Sequence, residues 1–253
     1  MGYPKDLLAT RALIKHGRYA LIPPEGRVNN VLPNLKDCKT SILASPELGC
    51  KFAFYTIEIQ PGGGTTVPFQ EEGIETFVYS MEGKGQIGVD GQIYSVEEKG
   101  YIFAPASQGV ELKNNTQTLW KVLLYKQRYR KIPGYEARLV VGNLNEIPAL
   151  PYDGMENVHI QDLLPTDLGF DVNFHTLSFK PGGCHPFVET HLQEHGLYLL
   201  KGEGVYLIDD QWVPVKEEDF IWFGPYVPQA FYGTGRSETT YIYTKDCNRD
   251  VQL

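Results

Sequence analysis

Residues 52–64 read FAFYTIEIQPGGG, and residues 171–183 read DVNFHTLSFKPGG. In both, apolar and polar side chains alternate as in a strand with one buried face, and a proline followed by glycines stops the run. The likeness continues downstream. Residues 78–105, VYSMEGKGQIGVDGQIYSVEEKGYIFAP, are matched by residues 197–225, LYLLKGEGVYLIDDQWVPVKEEDFIWFGP. LLYKQRY at 123–129 is matched by TTYIYTKD at 239–246, and Pro181 stands where Pro61 stands. Within the first copy, short strands are separated by Gly83, Gly85, Asp90-Gly91 and Lys99-Gly100, the Asp-Gly pair being a strong hairpin signal. A period near 120 residues is too long for a solenoid repeat and suits a duplicated all-β domain.

The duplication divides the chain into an N-terminal arm (1–50), a first barrel unit (51–129), a linker (130–169) and a second barrel unit (170–253). In the arm, LLATRALI at 7–14 has helical spacing of apolar residues, which predicts a short helix capped by Asp6 and running through about Ile14. Tyr19–Ile22 predicts a strand closed by Pro23, Pro24 and Gly26. Such an arm is too small to fold alone and is expected to pack on the body or on a neighbouring subunit. The linker carries Pro133, Pro148, Pro151 and Pro165, and IQDLLPTDLG at 160–169 predicts a single helical turn.

Composition narrows the function classes. The chain has 253 residues, 42% of them hydrophobic, enough to bury a substantial core. Lys and Arg number 23 against 31 Asp and Glu, and no basic cluster offsets the net charge of -8. That balance argues against nucleic acid and anionic membranes as partners. Cys38, Cys50, Cys184 and Cys247 form no CxxC pair, which disfavours a zinc knuckle or a thioredoxin-like site. The opening residues lack the apolar core of a signal peptide, and no run approaches transmembrane length. The expectation is a cytoplasmic protein with reduced thiols.

The residues that carry chemistry cluster in GCHPFVETHLQEHGLYLLKG, 183–202. Alternation puts Glu189 and His191 on one face of a strand, and a tight bend can return His195 to the same pocket. A carboxylate with two imidazoles suits a divalent first-row metal that keeps positions open for water or substrate. In isolation the same three residues also fit a surface loop.

The spacing Gly183-x5-Glu189-x-His191-x3-His195-x6-Gly202 resembles the first metal-binding motif of cupins, small jelly-roll barrels, with two ligand types exchanged. The second cupin motif supplies a ligand from a later strand, and in FGPYVPQAFYGTG that position is Gln229. The set Glu, His, His, Gln resembles that of the (S)-ureidoglycine aminohydrolases, bicupin enzymes of purine (allantoin) degradation. The resemblance spans nearly the whole chain: DLLATRALIKHGRYALIPPEG at 6–26, EEGIETFVYSMEG at 71–83, ETHLQEHGLYLLKGEGVY at 189–206 and YIYTKDCNRDV at 241–251. It implies an all-β bicupin fold, two tandem jelly-roll barrels. It also implies Mn²⁺ bound by Glu189, His191, His195 and Gln229, with Tyr206, Tyr241 and Lys245 facing the small-molecule substrate, ureidoglycine. Lys245 or Glu189 would move the proton, and the subunits would form a homo-oligomer. Independently of the family, Tyr241, Tyr243 and Lys245 alternate on one face of a strand, which as an amphipathic edge would simply be solvated.

Aligning the copies places Gln70, Glu72 and Thr76 where the second unit has Glu189, His191 and His195, and Val110 at the position of the later ligand. The first barrel is therefore expected to bind no metal and to serve as scaffold and subunit contact, with Glu72 and Glu75 as solvated acids near a turn. His185 reads as a surface-loop histidine and His175 as a packed or edge histidine. His16 and His159 have no partner signal, and Cys184 has no adjacent base. On residues alone two other readings stay open: another metal-dependent bicupin, such as a dioxygenase or decarboxylase, and a non-catalytic binding or storage bicupin.

Overall fold

A change of side along the repeated strands builds the molecule. In the computed structural model, which describes residues 10–251, the strand Phe52–Thr65 buries Phe52 and Phe54 in one core and Ile57 and Ile59 in another. Its counterpart Val172–Phe179 buries Val172 and Phe174 in the first of these cores and Leu177 and Phe179 in a third. Even and odd positions of a strand point to opposite sides of a sheet, so each long strand serves two cores. One core fills each barrel, and one lies between them.

Their compositions differ. The first barrel is packed with aliphatic side chains, among them Ile57, Ile59, Val78, Ile102, Val122 and Leu124. The second has Leu177, Leu197 and Leu199 but also Tyr206 and Tyr241. The middle core is aromatic: Phe77 stacks on Phe174 with ring centroids 3.6 Å apart, and Phe54 meets Phe220 at 5.1 Å.

All strand pairings are antiparallel, as expected for a fold joined by hairpins and Greek-key connections. The sheet of the second barrel runs Leu13–Lys15, Tyr19–Ile22, Phe220–Phe223, His195–Lys201, Thr239–Asp246, Val172–Phe179, Val158–Asp162, Leu150–Pro151. Its mate is the three-stranded sheet Gln211–Lys216, Glu203–Ile208, Gln229–Tyr232. The arm and linker are thus working strands. Tyr19–Ile22 pairs with Phe220–Phe223, and Leu35–Ala44 pairs with Phe52–Thr65 of the first barrel. The linker gives Val140–Asn143 to the first barrel and Val158–Asp162 to the second. Arg11 fastens the arm further by donating to both oxygens of the buried Asp219, at 2.6 and 2.8 Å.

Two local expectations change. The helix predicted from Asp6 to about Ile14 begins outside the described residues, and its end is not helical, because Leu13–Lys15 pairs with Tyr19–Leu21 as an edge strand. Where 160–169 predicts a helical turn, Val158–Asp162 is a strand and the rest is irregular; pairing with Val172–Phe179 outweighs local preference. Among the described residues no helix is long and apolar enough to cross a membrane, and all four cysteines are free.

At Gly196, next to His195, the two barrels approach closely. A Cβ there would stand 2.8 Å from the Phe52 ring, so only glycine lets the aromatic middle core press against the strand that begins with His195.

Candidate metal centre

Glu189 and Gln229 are far apart in sequence but directly opposite in space. The Glu189 N–H donates to the Gln229 carbonyl at 2.8 Å, and the Gln229 N–H returns a bond to the Glu189 carbonyl at 2.9 Å. The chain then bends, with the Tyr226 N–H donating to the His191 carbonyl at 2.7 Å, and His195 opens the strand His195–Lys201. Glu189 and His191 therefore do not share a regular strand, contrary to the alternation read from the sequence. Only Glu189 makes a bridge, and a loop carries His191.

Both imidazoles are oriented by backbone carbonyls. His195 Nδ1 donates to Thr244 O at 2.8 Å, and His191 Nδ1 donates to Gln193 O at 3.0 Å. A carbonyl can only accept, so each Nδ1 carries hydrogen and each Nε2 is free to offer a lone pair. The two Nε2 atoms face one another at 3.0 Å. Two lone pairs at that distance repel unless a cation lies between them. A proton would need nothing more, but Glu189 Oε2 is 3.6 Å from His191 Nε2, and the Gln229 amide is 3.2 Å from it. The two ends of that amide are nearly isosteric, and a half-turn presents its oxygen instead of its nitrogen. The ligand atoms of Glu189, His191 and His195 all lie within 4.8 Å of one another. This donor set fits a divalent ion.

Tyr152, His185, Tyr206, Tyr241, Tyr243 and Lys245, with Leu177 and Leu197, complete the wall of a cavity of about 20 Å³ beside these ligands. Lys245 follows Tyr241 and Tyr243 on the same face of Thr239–Asp246, and all three line the cavity.

A family model described as a cupin domain matches residues 175–244, the stretch that holds the whole cluster. Over its full length the chain is 45% identical to (S)-ureidoglycine aminohydrolase of Escherichia coli (strain K12), covering 100% of this chain and 97% of that protein. The chain belongs to the (S)-ureidoglycine aminohydrolase family. A crystal structure of protein Ylba from E. coli superposes with a TM-score of 0.89 at 42% identity, covering 100% of both chains. A Bacillus subtilis oxalate decarboxylase superposes with a TM-score of 0.69 at 10% identity, covering 99% of this chain and 81% of that one, a likeness of fold alone.

Membership in the (S)-ureidoglycine aminohydrolase family makes this chain a hydrolase of a carbon–nitrogen bond, not a storage bicupin. The electrostatics of its site suit a ligand cluster. Burial opposes ionisation of Glu189, but His191, His185 and a hydrogen bond from Tyr152 outweigh it and hold the carboxyl at about 2. Burial, then the neighbouring His191, lowers His195 to about 3, leaving it neutral.

Tyr152 had no signal in the sequence. It sits in the linker, and the pairing of Leu150–Pro151 with Val158–Asp162 carries it to the pocket, where its hydroxyl donates to Glu189 Oε1 at 3.1 Å. Burial and then Glu189 push its phenol up to about 12, so it remains a donor. Outer hydrogen bonds of this kind orient ligating carboxylates. The Tyr152→Phe variant is expected to lose affinity for a divalent metal by about 10- to 100-fold. Titration of metal-stripped protein checks this; an unchanged dissociation constant would remove Tyr152 from the account.

His185 is also not where the sequence placed it. It is buried, 8% exposed, with Nε2 and the Tyr241 hydroxyl sharing a 2.8 Å hydrogen bond. A loop position next to prolines reads as surface, but the ring turns inward between Phe179 and Tyr206. His175 is packed on the same side of its strand as Leu177 and Phe179, paired with Asp162 at 2.5 Å and stacked on Tyr243.

The first barrel departs from the ligand pattern more fully than the alignment indicates. Phe69, not Gln70, forms the bridge with Val110 that Glu189 forms with Gln229. The stretch after it is one residue longer than in the second copy, which shifts the register. Phe69 and Val110 stand at those two positions, and both belong to the apolar cluster of that barrel's interior. Glu75 is not solvated: it is 1% exposed, accepts a 2.7 Å bond from Gln127, and burial together with Asp171 raises its carboxyl well above the usual range.

Next to Lys245, burial and then Glu194 raise the Asp246 carboxyl to about 6, with Lys51 opposing at 3.7 Å. A carboxyl whose folded pKa is raised favours folding while protonated and loses that advantage as pH rises from about 4 through 6. Asp246→Asn is therefore expected to match wild type in thermal stability near pH 4 and to exceed it by about 1–2 kcal/mol at pH 8. Melting curves at both pH values test the sign, and a variant less stable at pH 8 would reverse it.

Proposed function

We propose that the chain hydrolyses (S)-ureidoglycine to (S)-ureidoglycolate and ammonia in purine breakdown in the cytoplasm, with Mn²⁺ held by Glu189, His191, His195 and Gln229. The observation that carries this reading is the pair of Nε2 atoms facing at 3.0 Å beside Glu189 and Gln229, in a chain 45% identical to an enzyme of that name. Two imidazoles with a carboxylate and a neutral amide oxygen, and no thiolate, favour Mn²⁺ over softer or strictly tetrahedral ions. When bound, the metal supplies Lewis acidity and a template for the carbon that exchanges nitrogen for oxygen.

The chain's own groups do the rest. Lys245, on the cavity wall, pairs its ammonium with the substrate carboxylate and can pass a proton to the departing amine. Glu189, a carboxylate on the metal, is the alternative carrier of that proton. Tyr206 and Tyr241, both buried, shape the pocket and offer hydroxyls rather than charges. Exposed Phe187, Val188 and Tyr226 flank the ligand loop and favour association of identical subunits on this side.

Metal-stripped protein should be inactive and should regain ammonia release from ureidoglycine, formed in place from allantoate, when Mn²⁺ is added, with Zn²⁺ a poor substitute. Full activity in the stripped protein would sink the reading.

A further inference from the structure

The geometry points to His185 as the residue that recognises the ureido group of the substrate, through an Nδ1 atom that no protein group engages. This rests on the function proposed above. Every other feature of the ring is fixed. Its backbone N–H donates to Phe231 O at 3.0 Å, and Nε2 is held by the Tyr241 hydroxyl at 2.8 Å. The ring lies 5.6 Å from Phe179 and edge-on to Tyr206 at 6.1 Å. Among the described residues Nδ1 has no partner, although it is fully buried and the side chain lines the cavity beside Glu189 and Lys245. A buried polar atom left unpaired is destabilising, and within a pocket its natural partner is the ligand.

The chemistry of the pocket assigns which part of the ligand that is. Ureidoglycine carries a carboxylate, an amine and a planar, neutral ureido group on one carbon. Lys245 and the ligand cluster suit the two charged groups, which leaves the ureido group for the remaining wall of a cavity that has to widen from about 20 Å³ to admit it. That wall is apolar at Leu177 and Leu197 and polar at His185, Tyr206 and Tyr241. Burial keeps the imidazole uncharged, its pKa lowered to about 4. A neutral ring nitrogen can accept from an N–H or donate to a carbonyl, and a ureido group offers both.

The test uses Mn²⁺-loaded protein and two stable competitive ligands. Hydantoate keeps the carboxylate and ureido group but lacks the leaving amine; glycine keeps the carboxylate and amine but lacks the ureido group. His185→Gln is the chosen variant because its amide reaches the Nε2 position and can keep the bond to Tyr241, while leaving nothing at Nδ1. Its inhibition constant for hydantoate is expected to rise about tenfold or more. That for glycine, the Mn²⁺ content and the melting temperature should stay as in wild type. His185→Asn, which restores a polar atom near Nδ1, is expected to recover hydantoate binding and serves if the glutamine variant misfolds. Unchanged hydantoate binding in His185→Gln, or equal weakening of hydantoate and glycine, would overturn the role of His185 and leave the proposed function standing. A wild type that neither hydrolyses ureidoglycine nor binds hydantoate would instead overturn the function.

Discussion

His191→Ala is expected to give a folded protein that holds no Mn²⁺ and loses at least about 1,000-fold in ureidoglycine hydrolysis. The reasoning is geometric. His191 Nε2 is the hub of the cluster: His195 Nε2 lies 3.0 Å from it, the Gln229 amide 3.2 Å and Glu189 3.6 Å. Removing it leaves three donors that no longer surround a point. The fold should tolerate the change, because the ring is part-exposed and its other bond reaches only its own loop, at Gln193. In the metal-free state the variant should be no less stable than wild type, since one of two facing lone pairs is gone. The contrast appears on adding metal. Wild type should gain about 2.7 kcal/mol at a Mn²⁺ concentration 100 times its dissociation constant, and the variant nothing. Thermal melting with and without Mn²⁺, read beside metal analysis, measures both. A variant that still melts higher with Mn²⁺ would show that His191 is not a ligand.

Phe174→Ala tests a different part of the account, the aromatic core between the barrels. Phe174 is 1% exposed, stacks on Phe77 at 3.6 Å and meets Tyr125 edge-on at 5.1 Å. Truncating such a ring typically costs about 3–5 kcal/mol, which for a chain of this size lowers the melting temperature by roughly 10 °C. Because the lost contacts join the two halves, calorimetry should also show the single transition broaden or split. A shift of only a degree or two with an unchanged profile would mean that the halves are held together elsewhere.

These two residues differ in how far the sequence announced them. His191 is legible because its spacing from Glu189 and His195 is local, and the strands and turns of both barrels are legible because alternation and Pro-Gly stops are local as well. Phe174 is recognisable as a strand residue, but its place in the middle core depends on the change of side within Val172–Phe179. What the sequence could not supply was register. The bridge between Glu189 and Gln229 and the arrival of Tyr152 both depend on backbone pairing between distant segments. The inward turn of His185 depends on Phe179, Tyr206 and Tyr241, each from a different strand. Local preference also misled at the arm, where apolar spacing reads as helix and pairing with Tyr19–Leu21 makes an edge strand of Leu13–Lys15. In the first barrel a single extra residue moved the counterpart of Glu189 from Gln70 to Phe69.

The most direct test of the whole account is the handedness of the product. Ureidoglycine released in place from allantoate should be converted by the Mn²⁺-loaded enzyme to ammonia and the S enantiomer of ureidoglycolate, far faster than it decays unaided. Racemic ureidoglycolate formed at the uncatalysed rate would contradict it.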